Sequence, residues 1–179
     1  MEPILNKLKG HDRRSIGRVK EVVDDVLANP DLFESVFSGM LSDDPVLRMR
    51  AADAVEKITA QHLEYLQPYK GQIISCIAQS EQQEVRWHVA QFFSRLKLTL
   101  SERRTVVKIL MEYLKDDSKI VKTFSMQALA DIAEQDVDLY KPILRQLEVQ
   151  THTGSPGMKS RGQKLLARPK RISPHNRRN

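Results

Sequence analysis

A chain of 179 residues with 40% apolar and 29% charged residues fits one folded domain with a real core. No apolar run approaches the roughly 18 residues that a bilayer-spanning helix needs, and Met1-Glu2-Pro3-Ile4-Leu5 lacks the basic-then-apolar layout of a secretory signal. The net charge of +6 is concentrated rather than spread: eight basic residues and no acid follow Glu148, which leaves 21 basic against 23 acidic residues in 1–148 and confines any nucleic-acid reading to the C-terminal end.

The first elements are N-terminal capping helices over residues 1–30. A short helix is expected around Pro3 to Lys9. Ser15 is placed to cap a second one carrying Ile16, Val19, Val22, Val23, Val26 and Leu27, which stops at Asn29-Pro30. Arg18, Lys20, Glu21, Asp24 and Asp25 give that helix the solvated outer face a terminal unit needs. Asp31 with Glu34 has the capping-box pattern ahead of Leu32, Phe33, Val36, Phe37 and Leu41.

After the turn residues Ser42-Asp43-Asp44-Pro45 a pattern begins that recurs. Leu47-Arg48, Ala51-Ala52, Ala54-Val55 and Ile58 are matched after 38 residues by Val85-Arg86, Val89-Ala90, Phe92-Phe93 and Leu96. A further 36 residues give Val121-Lys122, Ser125-Met126, Ala128-Leu129 and Ile132, and another 37 reach Met158-Lys159, Gly162 and Leu165-Leu166. Such spacing makes one apolar stripe along a helix, and its small residues let neighbouring helices approach closely. Other helices are expected between these: one after Gln67-Pro68 with Ile73, Ile74 and Ile77, one opened by Thr99 and Glu102, and one after Tyr140-Lys141-Pro142 with Ile143, Leu144 and Leu147. The unit is a helix, a turn and a second helix, repeated about every three dozen residues over 31–168. Residues 169–179 are basic, hold two prolines, and are expected to be disordered.

Asp44-Pro45-Val46-Leu47-Arg48 followed by Ala51-Ala52-Asp53-Ala54-Val55 resembles the HEAT-repeat consensus, and the chain is similar to small bacterial HEAT-repeat proteins. The second and third copies keep the apolar frame and the basic residue but lose the Asp-Pro, and the fourth matches least. The resemblance implies an all-α fold, a right-handed superhelix of about four repeats, whose usual role is non-enzymatic binding. It also implies that Asp44, Arg48, Arg86 and Lys122 form a structural ladder between repeats. The second helix of each repeat would line the concave face.

On that face the positions left outward are Arg50, Asp53 and Lys57; His88, Gln91 and Arg95; Phe124, Gln127 and Asp131; then Arg161, Lys164 and Arg168. A mildly positive stripe of this kind suits an acidic peptide or phosphates; as a solvated face it would instead hold pairs such as Asp53 with Lys57. Trp87, between Arg86 and His88, is the best hot-spot candidate, against simple packing on the next repeat. The five histidines are scattered without metal-ligand spacing, and Gly154-Ser155-Pro156-Gly157 lacks the Lys-Ser/Thr of a phosphate loop, so neither a metal nor a cofactor is expected. Cys76, the single cysteine, forms no intrachain disulfide and is expected to be a small buried residue among Ile73, Ile74 and Ile77.

The expected function is a protein-binding scaffold in the cytoplasm, with no membrane role, using Arg50, Lys57, Trp87, His88, Arg95, Arg161 and Lys164. The alternative is a nucleic-acid-binding protein that uses the basic end. A HEAT-like alkylpurine DNA glycosylase is a remote third reading, since Asp53 and a lone Trp do not make its aromatic lesion cradle.

Overall fold

The computed structural model describes residues 3–12 and 14–168, and the expected basic tail, 169–179, lies outside them. Among the described residues every regular element is helical and no strand occurs. Among the described residues no helix is long and apolar enough to cross a membrane. The chain divides into two compact units, Met1–Leu96 and Lys97–Asn179.

The first unit opens with a 3-10 helix, Pro3–Leu8, that buries Ile4, Leu5 and Leu8. Helix α1 (Val19–Ala28) follows and buries Val19, Val22, Val23 and Val26 along one face. It starts later than Ser15 would set it. The Ser15 hydroxyl accepts the Gly17 amide at 3.0 Å, and Gly17 has φ +58°, a left-handed geometry that cannot enter a right-handed helix. Ile16 is therefore left 55% exposed.

Asn29 ends α1 and also starts the next segment by accepting the Asp31 amide at 3.3 Å. The Asp31–Glu34 capping box is thus superseded by a cap two residues earlier. A 3-10 turn (Pro30–Leu32), α2 (Phe33–Ser38) and another 3-10 turn (Gly39–Leu41) form one broken segment packed on α3 (Pro45–Thr59). Helix α3 is buried on most of its circumference because α1, α2 and α5 (Gln83–Arg95) all pack against it.

The segment between α3 and α5 is also broken. It runs as a 3-10 helix (Leu63–Tyr69), α4 (Lys70–Ser75) and a 3-10 turn (Ile77–Gln79). Pro68 lies inside the 3-10 part, two residues ahead of α4, and not at the start of a long regular helix. Cys76 falls in the break and is exposed, contrary to the buried position expected of it. The kink turns its side chain off the stripe that keeps Ile73 and Ile77 inside. Phe37 and Tyr69, with ring centroids 4.1 Å apart, join the two broken segments. Helix α5 buries Val85, Val89, Ala90, Phe92 and Phe93, and each fully buried large side chain contributes about 1.5–3 kcal/mol of apolar transfer.

Among the described residues of the second unit there are four continuous helices: α6 (Leu100–Tyr113), α7 (Lys119–Ala133), α8 (Val137–Thr153) and α9 (Pro156–Leu166). The capping box at the start of α6 forms as read, with Thr99 and Glu102 each bonding the other's amide. Helix α8 begins before Pro142, not after it. Asp136 caps it by accepting the amides of Asp138 and Leu139, and Pro142 falls inside the helix, where it cannot donate to the Asp138 carbonyl one turn back. Helices α8 and α9 cross closely at Gly162, where an added Cβ would lie 1.9 Å from Thr151 Oγ1.

The turns repeat in detail. Ser42 Oγ accepts the Asp44 amide at 3.1 Å, Ser80 Oγ the Gln82 amide at 3.2 Å, and Asp116 Oδ1 the Ser118 amide at 2.8 Å. The capping residues that follow have nearly identical backbones: φ/ψ −72/113° at Asp44, −73/117° at Gln82 and −72/117° at Ser118. Ser155, at −63/164°, departs from this geometry, in keeping with the weak fourth sequence match.

Candidate functional site

The members of the predicted stripe have different fates on different helices. Arg50 on α3 is only 4% exposed. Its guanidinium donates to four main-chain carbonyls of the N-terminal segment: Ser15 at 3.0 Å, Leu8 at 3.1 Å, Lys9 at 2.6 Å and Asp12 at 3.1 Å. Arg50 therefore fastens the chain's own N-terminus and does not line an open face. Gly10 and Gly17 make room for it; a Cβ on Gly17 would lie 2.8 Å from the guanidinium.

Lys57 pairs with Asp53 one turn back, as the solvated-face reading has it. Asp53 also stands 3.9 Å from His88 Nε2 on α5. His88 is 6% exposed, and burial pushes its pKa down to about 4 although the Asp53 and Glu56 carboxylates pull the other way. At neutral pH it is an uncharged core residue. Trp87 is half-buried beside it, the two rings edge-on with centroids 5.6 Å apart.

Arg95 closes the same edge of α5. It donates to the Glu56 carbonyl at 2.8 Å and to Thr59 Oγ1 at 3.0 Å, and it pairs with the Glu56 carboxylate. Of the first unit's candidates, then, Arg50, His88 and Arg95 are drawn inward by polar partners on α3 or ahead of it. A sequence shows which residues leave the apolar stripe. It does not show that the preceding segment offers carbonyls and carboxylates at the right height.

The ladder residues also have defined places. Asp44 caps its own helix, accepting Val46 at 2.8 Å and Leu47 at 3.4 Å. Arg48 donates to the Ser42 carbonyl at 2.7 Å and to Gln82 Oε1 at 2.8 Å, and Gln82 returns a bond to the Pro45 carbonyl at 2.9 Å. Arg86 repeats the first contact on the Ser80 carbonyl at 2.7 Å. Lys122 is the corresponding residue of α7 and is half-buried. The partner that sequence reading missed is Gln82. It occupies the position of Asp44 and does the cross-turn work that the resemblance assigned to an Asp.

The second unit differs. Between α7 and α9 lies a cleft of about 560 Å³. Helix α9 contributes Gly157, Ser160, Arg161 and Lys164, with Arg168 just beyond its end, and α7 contributes Thr123 and Gln127. Arg161 donates to Gln127 Oε1 at 2.8 Å, which fixes one edge of its guanidinium. Arg168 is held by Asp131 at 2.7 Å and Glu134 at 3.2 Å, and the Asp131 hydrogen bond raises its pKa further. Lys164 is exposed and has no carboxylate partner among the described residues.

The structure thus brings Arg161, Lys164 and Arg168 together as the sequence stripe had them, and adds Ser160, Thr123 and Gly157 around them. Gly157 was legible only as a turn residue. Its role at the mouth follows from a backbone position where a Cβ would meet nothing within 4 Å. Two positive groups not neutralised by carboxylates, hydroxyls on either side and an open mouth can hold an anionic or strongly polar group. Among the described residues no three His, Cys, Asp or Glu side chains converge as metal ligands. Compared with known proteins, the chain matches no family model, no curated protein and no solved structure.

Proposed function

We propose that this chain is a non-enzymatic binding module of HEAT-type helical repeats forming a right-handed solenoid, and that it takes an acidic segment of a protein partner at the α7–α9 cleft, acting in the cytoplasm. One observation carries the choice of site. Arg50, His88 and Arg95 are turned inward, whereas Arg161 and Lys164 line an open cleft with positive charge that no carboxylate cancels. The recurring turn bonds at Ser42, Ser80 and Asp116 support the repeat reading. The stripe expected to be one continuous binding surface is replaced in this proposal by its last member.

Capture from source cells with the wild-type chain and with Gly157→Glu is the test. A glutamate at the mouth adds bulk and the wrong charge where nothing stands in its way. Prey recovered equally by both chains would remove the cleft from consideration. A second reading, nucleic-acid binding through Arg161, Lys164, Arg168 and residues 169–179, is favoured by the eight basic residues beyond Glu148 with no intervening acid. Gel-shift titration of DNA and RNA at physiological ionic strength separates the two, since a phosphate-driven ligand loses affinity steeply with salt.

A further inference from the structure

Resting on that reading and deepening it, we infer that the α7–α9 cleft grips its partner by the main chain: Arg161 donates to backbone carbonyls of an extended, glycine-containing peptide segment, and Lys164 meets an acidic side chain of the same segment. The protein holds its own example of the contact. Arg50 occupies in α3 the repeat position that Arg161 occupies in α9, three repeats later. The fork of Arg50 is satisfied by carbonyls of residues 8–15, and no carboxylate is among these contacts. Where that segment passes closest stand Gly10 and Gly17, whose Cβ atoms would lie 2.5 Å and 2.8 Å from Arg50 Nη1. At Arg50, then, an arginine in this repeat position reads a peptide backbone, with glycine at the points of nearest approach.

Both arginines leave their own helix for an earlier part of the chain, Arg50 for carbonyls of the N-terminal segment and Arg161 for the side-chain oxygen of Gln127 on α7. The Gln127 bond takes one of the five N–H groups of the guanidinium and holds the plane still, and the side chain lines the cleft. The intervening repeats lack the device, because His88 is packed inward near Asp53 and Phe124 has no polar donor. Lys164, one turn along α9, is an exposed cation where α3 has Asp53. That difference selects acidic segments over neutral ones.

The experiment pans the full chain against a displayed library of random peptides, with the Gly157→Glu chain as counter-selection. Cleft-dependent peptides are then titrated against wild type, Arg161→Lys and Lys164→Gln at low and high salt. Retained peptides should carry a glycine within a few residues of an Asp or Glu. Arg161→Lys keeps the charge but loses the planar fork, so it should weaken binding about tenfold or more with the salt dependence unchanged. Lys164→Gln should weaken binding by a few-fold and flatten the salt dependence. Peptides that bind Arg161→Lys within about twofold of wild type, ranked only by acidic content, would overturn the main-chain grip and leave the acidic-segment reading standing. Peptides indifferent to Gly157→Glu, or a library with no cleft-dependent binder, would overturn both.

Discussion

Replacing Arg50 separates a ligand-facing arginine from a structural one. In Arg50→Met the stem survives and the four donated hydrogen bonds are lost. The Leu8 bond is buried, so that carbonyl is left without a donor at about 1–3 kcal/mol. The other three are only part-buried, and water recovers most of each. The sum is a loss of about 3 kcal/mol from the first unit, within the range for breaking a buried polar network. Trp87, the single tryptophan, sits on α5 in that unit, so its fluorescence in urea follows this unfolding selectively. With a urea slope of about 1–3 kcal/mol/M, the midpoint should fall by roughly 1–3 M. Arg50→Lys should land between, since one ammonium cannot serve four carbonyls set around a planar fork. A midpoint shift below about 0.3 M for Arg50→Met would show that the N-terminal segment is not held this way, and the inference drawn from it for Arg161 would go too.

Other outcomes follow from single residues. The folded-state pKa of His88, about 4, lies below the usual 6.5, so the unfolded chain takes up that proton first. Its contribution is complete above pH 6.5 and is lost as pH falls toward 4, by at most about 3 kcal/mol. His88→Gln should flatten the pH dependence of the Trp87 urea midpoint across that window, and identical slopes in both proteins would refute the buried-neutral assignment. The two glycines of α9 should respond oppositely to alanine. Gly162→Ala drives a Cβ to 1.9 Å from Thr151 Oγ1 and should destabilise the second unit by about 1–3 kcal/mol. Gly157→Ala meets nothing and should stabilise it by about 0.5 kcal/mol. Thermal melts by circular dichroism read both, and a shift of the same sign in the two variants would contradict the packing described.

Much of the architecture was written in the chain. The spacing of Leu47, Ala51, Ala54 and Ile58, and its copies at Val85 and Val121, marks α3, α5 and α7, because an apolar stripe repeated every helical turn has to be covered. Thr99 with Glu102 marks the start of α6 because a capping box is a local arrangement that needs no tertiary partner. The proline rules were less informative: Pro68 and Pro142 sit inside their helices and not at the starts, because a helix held by tertiary packing survives the loss of one backbone bond.

Tertiary structure decided the rest, and the physical reason is common to all of it. Sequence periodicity assigns a side chain to a face, but the free energy of a charged group depends on what stands opposite. Arg50, His88, Arg95, Arg161 and Lys164 share one stripe by register. Only folding placed the carbonyls of residues 8–15 against Arg50, Glu56 against Arg95 and Asp53 near His88. By the same step α9 and α7 kept Arg161 and Lys164 along an open cleft. The sequence determined which residues lie off the apolar stripe; the folded chain determined which of those are buried on partners of their own and which stay open.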